Sequence, residues 1–415
     1  MVFKPIPLFY IIMSLFNYLK DADAWIGFYE LKADSDFLRQ YDAEEFFRYV
    51  RQKRYLPVVE KILSGEGLSI PVKKKIAKEG SLKKRIVYML PDDESMVLKL
   101  LTWLMIRKYD SHFSPNLYSF RPGMSAKAAF HKVISHKGIH QYCSYKLDIK
   151  NYFNSIDVEL LLPQLKELFS DDPELYTFFY KQLSDPRAVE NGEVVCEQKG
   201  VMAGMPTAVF FANVYLTALD KVFEQMPEVV YCRYSDDIIV FAPDQKTLSN
   251  AKTILHDYLD RFRLEVNADK EVETASGEKW TFLGFSYHNG EVDVCANSVR
   301  KLKAKMRRKA RTLIRWKHAK GKDDWMAARA FVKYFNKRLY TSDDPHEINW
   351  TRWYFPLINT DKSLKLLDAY MQDCIRYIVT ESRTKSRFDF RYEQIKDLGY
   401  RTLVHEYYKN VNDFS

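Results

Sequence analysis

Residues 229–242 read Val-Val-Tyr-Cys-Arg-Tyr-Ser-Asp-Asp-Ile-Ile-Val-Phe-Ala, and this stretch decides the fold. Two apolar runs rich in β-branched and aromatic residues flank Ser235-Asp236-Asp237. Because such runs favour buried strands while Ser and Asp favour turns, the pattern predicts a strand, a tight turn and a second strand. Two adjacent carboxylates would lie at the tip, where burial and mutual repulsion disfavour ionisation unless a cation is bound. A solvated turn that happens to contain two aspartates is the alternative.

A third carboxylate, Asp148, ends another strand-like segment within residues 142–157. One Asp from a strand end and two from a hairpin suit a two-metal phosphoryl-transfer site, whose ions lie about 3.5–4 Å apart. Mg²⁺ is the expected ion, because it binds a few carboxylates together with water and substrate phosphates. We therefore predict that Asp148, Asp236 and Asp237 bind two Mg²⁺ ions, with Mn²⁺ as a substitute and Ile149 as a further metal-site residue.

These two motifs resemble those of reverse transcriptases. Tyr234-Ser-Asp-Asp237 resembles the family's Tyr-x-Asp-Asp box, and Asp148-Ile-Lys-Asn-Tyr-Phe153 resembles its first metal-binding motif. The resemblance implies an α+β right-hand polymerase with fingers, a palm made of an antiparallel sheet plus helices, a helical thumb and a helical C-terminal extension. The implied domains are an N-terminal helical segment at 1–64, fingers at 65–141, a palm with interleaved fingers elements at 142–290, a thumb at 291–340 and the extension at 341–415.

Composition sets broad limits on the function. The 415 residues are 47% hydrophobic, which suits two or three globular domains, and the net charge of +9 favours a polyanionic partner. Five scattered cysteines without a Cys-x-x-Cys pair predict neither disulfides nor zinc, and they suit a reducing cytoplasm. The apolar run at residues 6–19 is too short to span a bilayer and only faintly imitates a signal peptide, so we expect no membrane association. A docking helix or a misassigned start codon would explain this run.

Residues 70–91 predict two basic strands joined by a turn at 79–81. They resemble the fingers hairpin that closes over an incoming triphosphate, and Arg85 occupies the position of the family's basic residue for that task. A solvated edge hairpin, whose lysines discourage aggregation, is the alternative. The basic residues are Lys73, Lys74, Lys75, Lys78, Lys83, Lys84 and Arg85.

Residues 116–130 contain a Phe-Arg-Pro-Gly turn, followed by Ser125 as the expected N-cap of a helix. This segment resembles the second fingers motif of prokaryotic reverse transcriptases, which implies that Arg121 contacts template or triphosphate.

Within residues 200–216 a Gly-rich loop opens a predicted long helix, and Ala203 and Gly204 are expected near the incoming nucleotide. The family's usual Pro-Gln-Gly is replaced here by Met202-Ala203-Gly204. Its glutamine normally contacts the nucleotide, so the family's processivity and fidelity do not carry over, and an ordinary mobile-element enzyme is disfavoured.

Three further site predictions come from the resemblance. Lys270, in the segment 264–270, would protonate the departing pyrophosphate, although a single lysine is more often merely solvated. Phe282, Leu283 and Gly284 would form the primer grip, with an ordinary core strand as the alternative. Phe153, five residues after Asp148, would lie beneath the sugar of the incoming nucleotide and exclude a 2′-hydroxyl, unless it is simply a core residue.

Residues 300–322 contain twelve Lys or Arg residues and no acid. Leu302, Met306, Ala310 and Leu313 recur at helical spacing, which predicts a cationic amphipathic helix. Such a helix could lie on a membrane, but behind a polymerase palm we expect a thumb that contacts phosphates of a duplex. The residues predicted to bind nucleic acid are Lys301, Lys303, Arg307, Arg308 and Arg311.

The prediction from the sequence is an RNA-directed DNA polymerase that uses dNTPs and copies a dedicated structured non-coding RNA. The DNA product or an RNA–DNA duplex is the further partner expected. The C-terminal region resembles that of bacterial defence-associated "unknown group" reverse transcriptases, which implies an anti-phage role. The alternatives are a mobile-element or retron-type enzyme, a weakly templated DNA polymerase of the abortive-infection type, an RNA-copying RNA polymerase, and an RNA-binding scaffold with a vestigial palm.

Overall fold

The computed structural model describes residues 14–33, 43–77, 84–197, 200–340 and 349–413. These residues form an α+β fold, as predicted, and the chain divides into two compact units, Met1–Gly277 and Glu278–Ser415. The strands are β1 Val72–Ala77, β2 Lys84–Met89, β3 Cys143–Asp148, β4 Arg187–Glu190, β5 Glu193–Cys196, β6 Val230–Tyr234, β7 Asp237–Ala242, β8 Val272–Thr274, β9 Trp280–Phe282, β10 Phe285–His288 and β11 Glu291–Val294.

The described residues of the two units contain eighteen α-helices. They are α1 Leu15–Tyr18, α2 Ala22–Ala33, α3 Ala43–Arg51, α4 Leu56–Leu63, α5 Asp92–Lys108, α6 Ala126–Ile134, α7 Tyr152–Ser155, α8 Val158–Leu168, α9 Pro173–Ser184, α10 Ala208–Tyr215, α11 Thr217–Glu224, α12 Gln245–Arg261, α13 Ala296–Lys320, α14 Asp324–Leu339, α15 Trp350–Tyr354, α16 Lys362–Thr380, α17 Tyr392–Asp397 and α18 Leu403–Asp413. Among the described residues, no helix has both the length and the apolarity needed to cross a bilayer.

The central sheet of the first unit has the strand order β6-β7-β3-β8, and every neighbouring pair is antiparallel. The predicted hairpin is confirmed, because β6 and β7 are joined by the two-residue turn Ser235-Asp236 and close on the pair Tyr234↔Asp237. Strand β7 is buried along nearly its whole length, and helix α12 packs against β3 and β7. The central sheet therefore holds the hairpin rigidly, as an antiparallel palm requires.

A second sheet in this unit has the order β2-β1-β4-β5. The hairpin β1–β2 was predicted, although its turn at 79–81 lies outside the described residues. The hairpin β4–β5 was not predicted, and its β4 strand pairs in parallel with β1. Lys73 and Lys75 of β1 form ion pairs with Glu190 and Glu197 at 2.6–3.2 Å. Two of the predicted fingers cations are therefore neutralised within the protein.

The N-terminal helices pack on α5 through an aromatic cluster. Trp25 is fully buried, and its ring lies 4.8 Å from that of Tyr55, while Phe28 contacts Trp103 of α5 edge to face. The main-chain N–H of Leu15 donates to the buried carboxylate of Asp172 at 2.8 Å. The described part of the 6–19 run contains helix α1, which docks on the rest of the first unit. A docking helix is one of the two explanations given for this run.

The second unit combines the sheet β11-β10-β9 with helices α13–α18. The boundary differs from the predicted one, because residues 278–290, expected in the palm, cluster with the helices that follow. Helix α13 buries the predicted stripe and packs against α14 and α16. At its C-terminal end the buried Lys317 ammonium pairs with Asp324 and Glu381, each at 2.6 Å. This cation joins the ends of α13 and α16 to the start of α14.

A wholly buried ion pair lies directly beneath the Ser235-Asp236 turn. Arg233 of β6 donates Nε–H and Nη2–H to the two carboxylate oxygens of Asp220 of α11, at 2.7 and 2.5 Å. Both side chains are 0% exposed. The guanidinium also donates to the main-chain oxygens of Asn213 and Ser235. Because Ser235 adopts a positive φ of 59°, these contacts hold the turn in a conformation that L-residues seldom adopt.

We expect Arg233→Met to lower the free energy of unfolding by about 3–5 kcal/mol, because the buried Asp220 carboxylate would lose its counter-charge. Adding Asp220→Leu should restore most of this loss, since two apolar side chains need no partner. Urea unfolding of the single and double variants measures both changes. Arg187→Met removes an exposed ion pair with Asp185 and should cost no more than about 1 kcal/mol. Equal stability of the single and double variants would contradict the role of the pair.

Candidate active site

Three carboxylates meet at one edge of the central sheet. Asp148, the last residue of β3, is the register partner of Asp237, the first residue of β7. Asp236 precedes it in the turn, and its main-chain oxygen accepts a hydrogen bond from the Ile149 N–H at 3.1 Å. The strand end and the hairpin tip predicted to lie close together are therefore adjacent.

Burial and mutual repulsion perturb two of these carboxylates. Burial, followed by repulsion from Asp236 and Asp148, raises the pKa of Asp237 to about 6. Burial and then the charge of Asp148 also raise the pKa of Asp236. Lys270 and then Arg85 of β2 act in the opposite direction and lower the pKa of Asp236. The role of Arg85 as a phosphate ligand stays a prediction. A site that disfavours its own negative charges is one that attracts a cation.

Lys270 lies at the site, and its ammonium donates to Asp148 Oδ2 at 2.5 Å. Asn267 Nδ2–H donates to the other oxygen, Oδ1, at 3.2 Å, and the Asn267 main-chain N–H donates to the Asp148 carbonyl oxygen at 2.8 Å. The lysine therefore supplies the positive charge that Asp148 needs in this conformation. Among the described residues, no three His, Cys, Asp or Glu side chains are gathered into a complete metal-binding group. Ile149 has a buried apolar side chain, so only its carbonyl could act as a ligand.

The turn beneath the carboxylates is supported by a polar network that the sequence did not reveal. Ser119 Oγ accepts a hydrogen bond from the Ser235 main-chain N–H at 2.9 Å and donates to Asn213 Oδ1 at 3.1 Å. Asn213 in turn donates to the Ser119 carbonyl oxygen at 2.9 Å. Together with the Arg233–Asp220 pair, these bonds fix the turn from below.

Arg121 has a different role from the predicted contact with template or triphosphate. Its five guanidinium N–H groups donate to Asp110, through the carboxylate and the main-chain oxygen, and to the carbonyl oxygens of Ser114 and Leu117. The side chain is 6% exposed. Because a guanidinium has five donors in all, none remains for phosphate. The prediction for Arg121 is therefore corrected, and the residue stabilises the loop before α6, where Ser125 is the N-cap as expected.

The two aromatic residues that follow Asp148, Tyr152 and Phe153, differ in burial. Tyr152 is buried, and its hydroxyl donates to the Ala212 carbonyl oxygen at 2.5 Å. Phe153 is only partly buried, and its ring lies 6.5 Å from that of Phe120, which in turn lies 6.5 Å from Tyr234 of the Tyr-x-Asp-Asp box. The alternative for Phe153 was a role as a simple core residue. In the structure Tyr152 is the fully buried residue of the two, whereas Phe153 is partly exposed.

The Gly-rich loop is bonded on both sides to protein. The Ala203 carbonyl oxygen accepts from the Tyr88 N–H of β2 at 2.8 Å, and its own N–H donates to Asn154 Oδ1 at 2.9 Å. A Cβ at Gly204 would lie 2.9 Å from the Tyr88 oxygen, so glycine is required for this close approach. The main-chain polar atoms of Ala203 are therefore bonded to β2 and α7, and the contact of Ala203 and Gly204 with the nucleotide stays a prediction.

The second unit contains the predicted primer grip and the basic helix. Phe282 is buried in β9, so its side chain has the core role that was the alternative, while Leu283 and Gly284 form the β9–β10 turn, with Leu283 at a φ of 49°. On α13, Lys303 is partly buried and lies 5.3 Å from the ring centre of Tyr370 of α16. The four remaining residues predicted to bind nucleic acid are exposed, namely Lys301, Arg307, Arg308 and Arg311.

Comparison with known proteins identifies the family. Residues 72–287 match the family described as reverse transcriptase (RNA-dependent DNA polymerase). The retron Ec83 reverse transcriptase of Escherichia coli is 26% identical over 167 residues, covering 38% of this chain and 52% of that protein. The chain thus spans about half the length of this curated relative.

Solved structures of telomerases also align with the chain. Apo telomerase from Candida tropicalis, truncated from the C-terminal domain, has a TM-score of 0.45 at 13% identity, covering 57% of this chain and 58% of that one. The apo telomerase of the same organism has a TM-score of 0.48 at 13% identity, with coverages of 81% and 69%. Telomerase from Candida albicans with a fragment of telomeric RNA has a TM-score of 0.45 at 12% identity, with coverages of 86% and 69%.

The family match covers more than half of the chain and includes both carboxylate motifs, the Gly-rich loop and the β1–β2 hairpin. The chain therefore belongs to the reverse transcriptase family.

Proposed function

We propose that this protein is an RNA-directed DNA polymerase that copies a dedicated structured non-coding RNA in bacterial anti-phage defence. The observation that carries the polymerase activity is the meeting of Asp148, Asp236 and Asp237 at one sheet edge. The basic helix α13 supports an RNA or RNA–DNA partner, because its cations can contact phosphates without regard to sequence. The resemblance to defence-associated enzymes supports the biological role. A retron-type enzyme is the second candidate, favoured by the retron relative.

The three carboxylates fit Mg²⁺, because oxygen ligands of high negative charge density suit this ion and the pKa of two of them is raised when no cation neutralises them. When bound, two Mg²⁺ ions would activate the primer 3′-oxygen and stabilise the pyrophosphate that leaves. Lys270 must release Asp148 for a cation to bind there. The freed ammonium then lies beside the site, where it can donate a proton to the departing pyrophosphate. Arg85 would bind the phosphates of the dNTP.

The polymerase proposal predicts a loss of turnover without a loss of RNA binding. Asp236→Asn/Asp237→Asn should lower primer extension with dNTPs in Mg²⁺ by several orders of magnitude, because the ligands of the activating ions are removed. Asp257→Asn/Asp260→Asn, at exposed positions of α12, is the matched control and should remain active. Full extension by the first variant would refute the site.

The RNA partner is identified by sequencing the nucleic acid that copurifies with wild-type protein and with the Asp236→Asn/Asp237→Asn variant. One enriched structured RNA in both samples, with complementary DNA in the wild-type sample alone, is the expected result. A random collection of cellular RNAs would contradict a dedicated template.

The raised pKa of Asp237 predicts opposite effects on stability with and without metal. An unfolded Asp has a lower pKa, so ionisation of Asp237 costs the folded state stability as the pH rises from about 4 to about 6. Without metal at neutral pH, we expect Asp237→Asn to raise the free energy of unfolding by roughly 1–3 kcal/mol. Added Mg²⁺ should stabilise wild type and have little effect on the variant. Thermal unfolding with and without Mg²⁺ measures both effects, and equal shifts for the two proteins would contradict metal binding at Asp237.

Phe153 is proposed to decide which sugar is used. The Phe153 ring is partly exposed and contacts Phe120, which in turn contacts Tyr234 of the Tyr-x-Asp-Asp box. An aromatic ring offers no hydrogen bond to a 2′-hydroxyl and would exclude it sterically. Phe153→Ala should therefore admit ribonucleotides, while use of deoxynucleotides falls only modestly. Incorporation of both sugars on one template, with Tyr180→Ala as an exposed aromatic control, measures the selectivity. A wild-type enzyme indifferent to the sugar would refute the gate.

A further inference from the structure

A cavity of about 350 Å³ lies between α13 and the end of α16, within the second unit. Arg307 and Arg311, one turn apart on α13, line one side, and Arg383 and Arg387, which follow α16, line the other. Asp373 is the one acidic side chain among the described residues that line it. Four guanidinium charges and one carboxylate leave a net formal charge of three positive units.

The carboxylate in this cavity is already engaged. Asp373 Oδ1 accepts from Arg387 Nε–H at 3.3 Å and lies 3.9 Å from Arg376 Nη1. Arg387 also donates to the carbonyl oxygens of Arg383 and Thr384 at 3.0 and 3.1 Å, which fixes its position. Within the described parts of the chain, no ion pair joins Arg307, Arg311 or Arg383 to an acid. Their charges remain for a ligand.

Aromatic rings and hydroxyls complete the cavity. Tyr370 and Tyr377 form part of its wall, and the Arg383 guanidinium lies 5.2 Å from the ring centre of Tyr377. Ser382, also in the lining, lies in a triangle of hydroxyls with Thr384 and Ser386, at 2.8–2.9 Å. Guanidinium groups and hydroxyls bind phosphate oxygens, and tyrosine faces stack on unpaired bases. The volume is that of a small-ligand site.

We propose that this arginine pocket, defined by Arg307, Arg311, Arg383 and Arg387, binds the 5′-triphosphate end of an RNA strand. A single phosphodiester would neutralise only one of the three excess charges, whereas a 5′-triphosphate carries more than three negative charges near neutral pH and can neutralise all of them. The terminal base would stack on a tyrosine of the wall. The inference rests on the proposed function, because the ligand is the end of the RNA partner, and it adds a means of recognising one end of that RNA.

The test measures binding of one short unstructured RNA prepared with a 5′-triphosphate, a 5′-monophosphate or a 5′-hydroxyl, by fluorescence anisotropy on the full chain. We expect the triphosphate form to bind at least about tenfold more tightly than the hydroxyl form, because several charge-assisted hydrogen bonds are added. Arg307→Gln/Arg383→Gln should remove this preference. Lys301→Gln/Arg315→Gln removes the same charge from exposed positions of α13 outside the pocket lining and should weaken all three RNAs while keeping their ratio.

Equal binding of the three RNAs by wild type would overturn the proposal, as would a pocket variant that keeps the preference. Free GTP as competitor separates the two sources of a triphosphate, and GTP that binds as tightly as the RNA would overturn the assignment to an RNA end. Arg383→Gln alone, at an exposed side chain, replaces the double variant if the latter fails to fold. The readout is binding, so a failure of polymerase activity leaves this result interpretable.

Discussion

The ion pair between Arg233 and Asp220 is the interaction on which the active-site hairpin depends. It is inaccessible to solvent, and Arg233 also bonds the main-chain oxygen of Ser235. A buried pair of this kind contributes little net stability compared with apolar side chains, but it tolerates few alternative geometries. Its value here is positional, because the residue that it holds lies at a positive φ immediately before the two aspartates. The buried Arg233–Asp220 ion pair thus helps to position the carboxylates of Asp236 and Asp237.

The site is also electrostatically strained in the absence of a cation. Asp148 and Asp237 are direct register partners, so sheet pairing itself forces two carboxylates together. Lys270 compensates one of them, and the raised pKa of Asp237 shows that the compensation is incomplete. The same arrangement that disfavours the metal-free fold favours cation binding, since both follow from the unneutralised charge.

Local sequence patterns predicted those elements whose formation depends mainly on residues close together in the sequence. Two apolar runs around Ser235-Asp236-Asp237 predicted the β6–β7 hairpin, and helical spacing predicted the buried stripe of α13. The position of Ser125 after the Phe-Arg-Pro-Gly turn predicted a helix N-cap. The β4–β5 hairpin was missed although Asn191-Gly192, both at positive φ, is a strong hairpin signal between its strands. The information for this hairpin is therefore local and present in the sequence.

Other features of the structure have tertiary causes that no local pattern contains. Arg121 has the residue type of a phosphate ligand, but its partners, Asp110 and two carbonyl oxygens, become visible only when the chain has folded. Asp220 likewise occupies a helix position that would be read as a solvated surface charge until Arg233 is placed against it. The domain boundary at Glu278 depends on packing between segments distant in sequence. Each of these features depends on contacts between residues far apart in the sequence, which residue type and spacing do not predict.

The loop residue Ala203 has a mechanical consequence, because it is bonded to β2 through Tyr88 and to α7 through Asn154. Strand β2 carries Arg85, and α7 carries Phe153. A displacement of β2 or α7 must therefore either stretch one of the two hydrogen bonds of Ala203 or move the other element as well. The loop therefore links the strand that carries the proposed phosphate ligand, Arg85, to the helix that carries the proposed sugar-selecting residue, Phe153. If the proposed roles hold, a nucleotide that contacts both Arg85 and Phe153 would shift β2 and α7 together. Its phosphates and its sugar would then be recognised jointly and not independently.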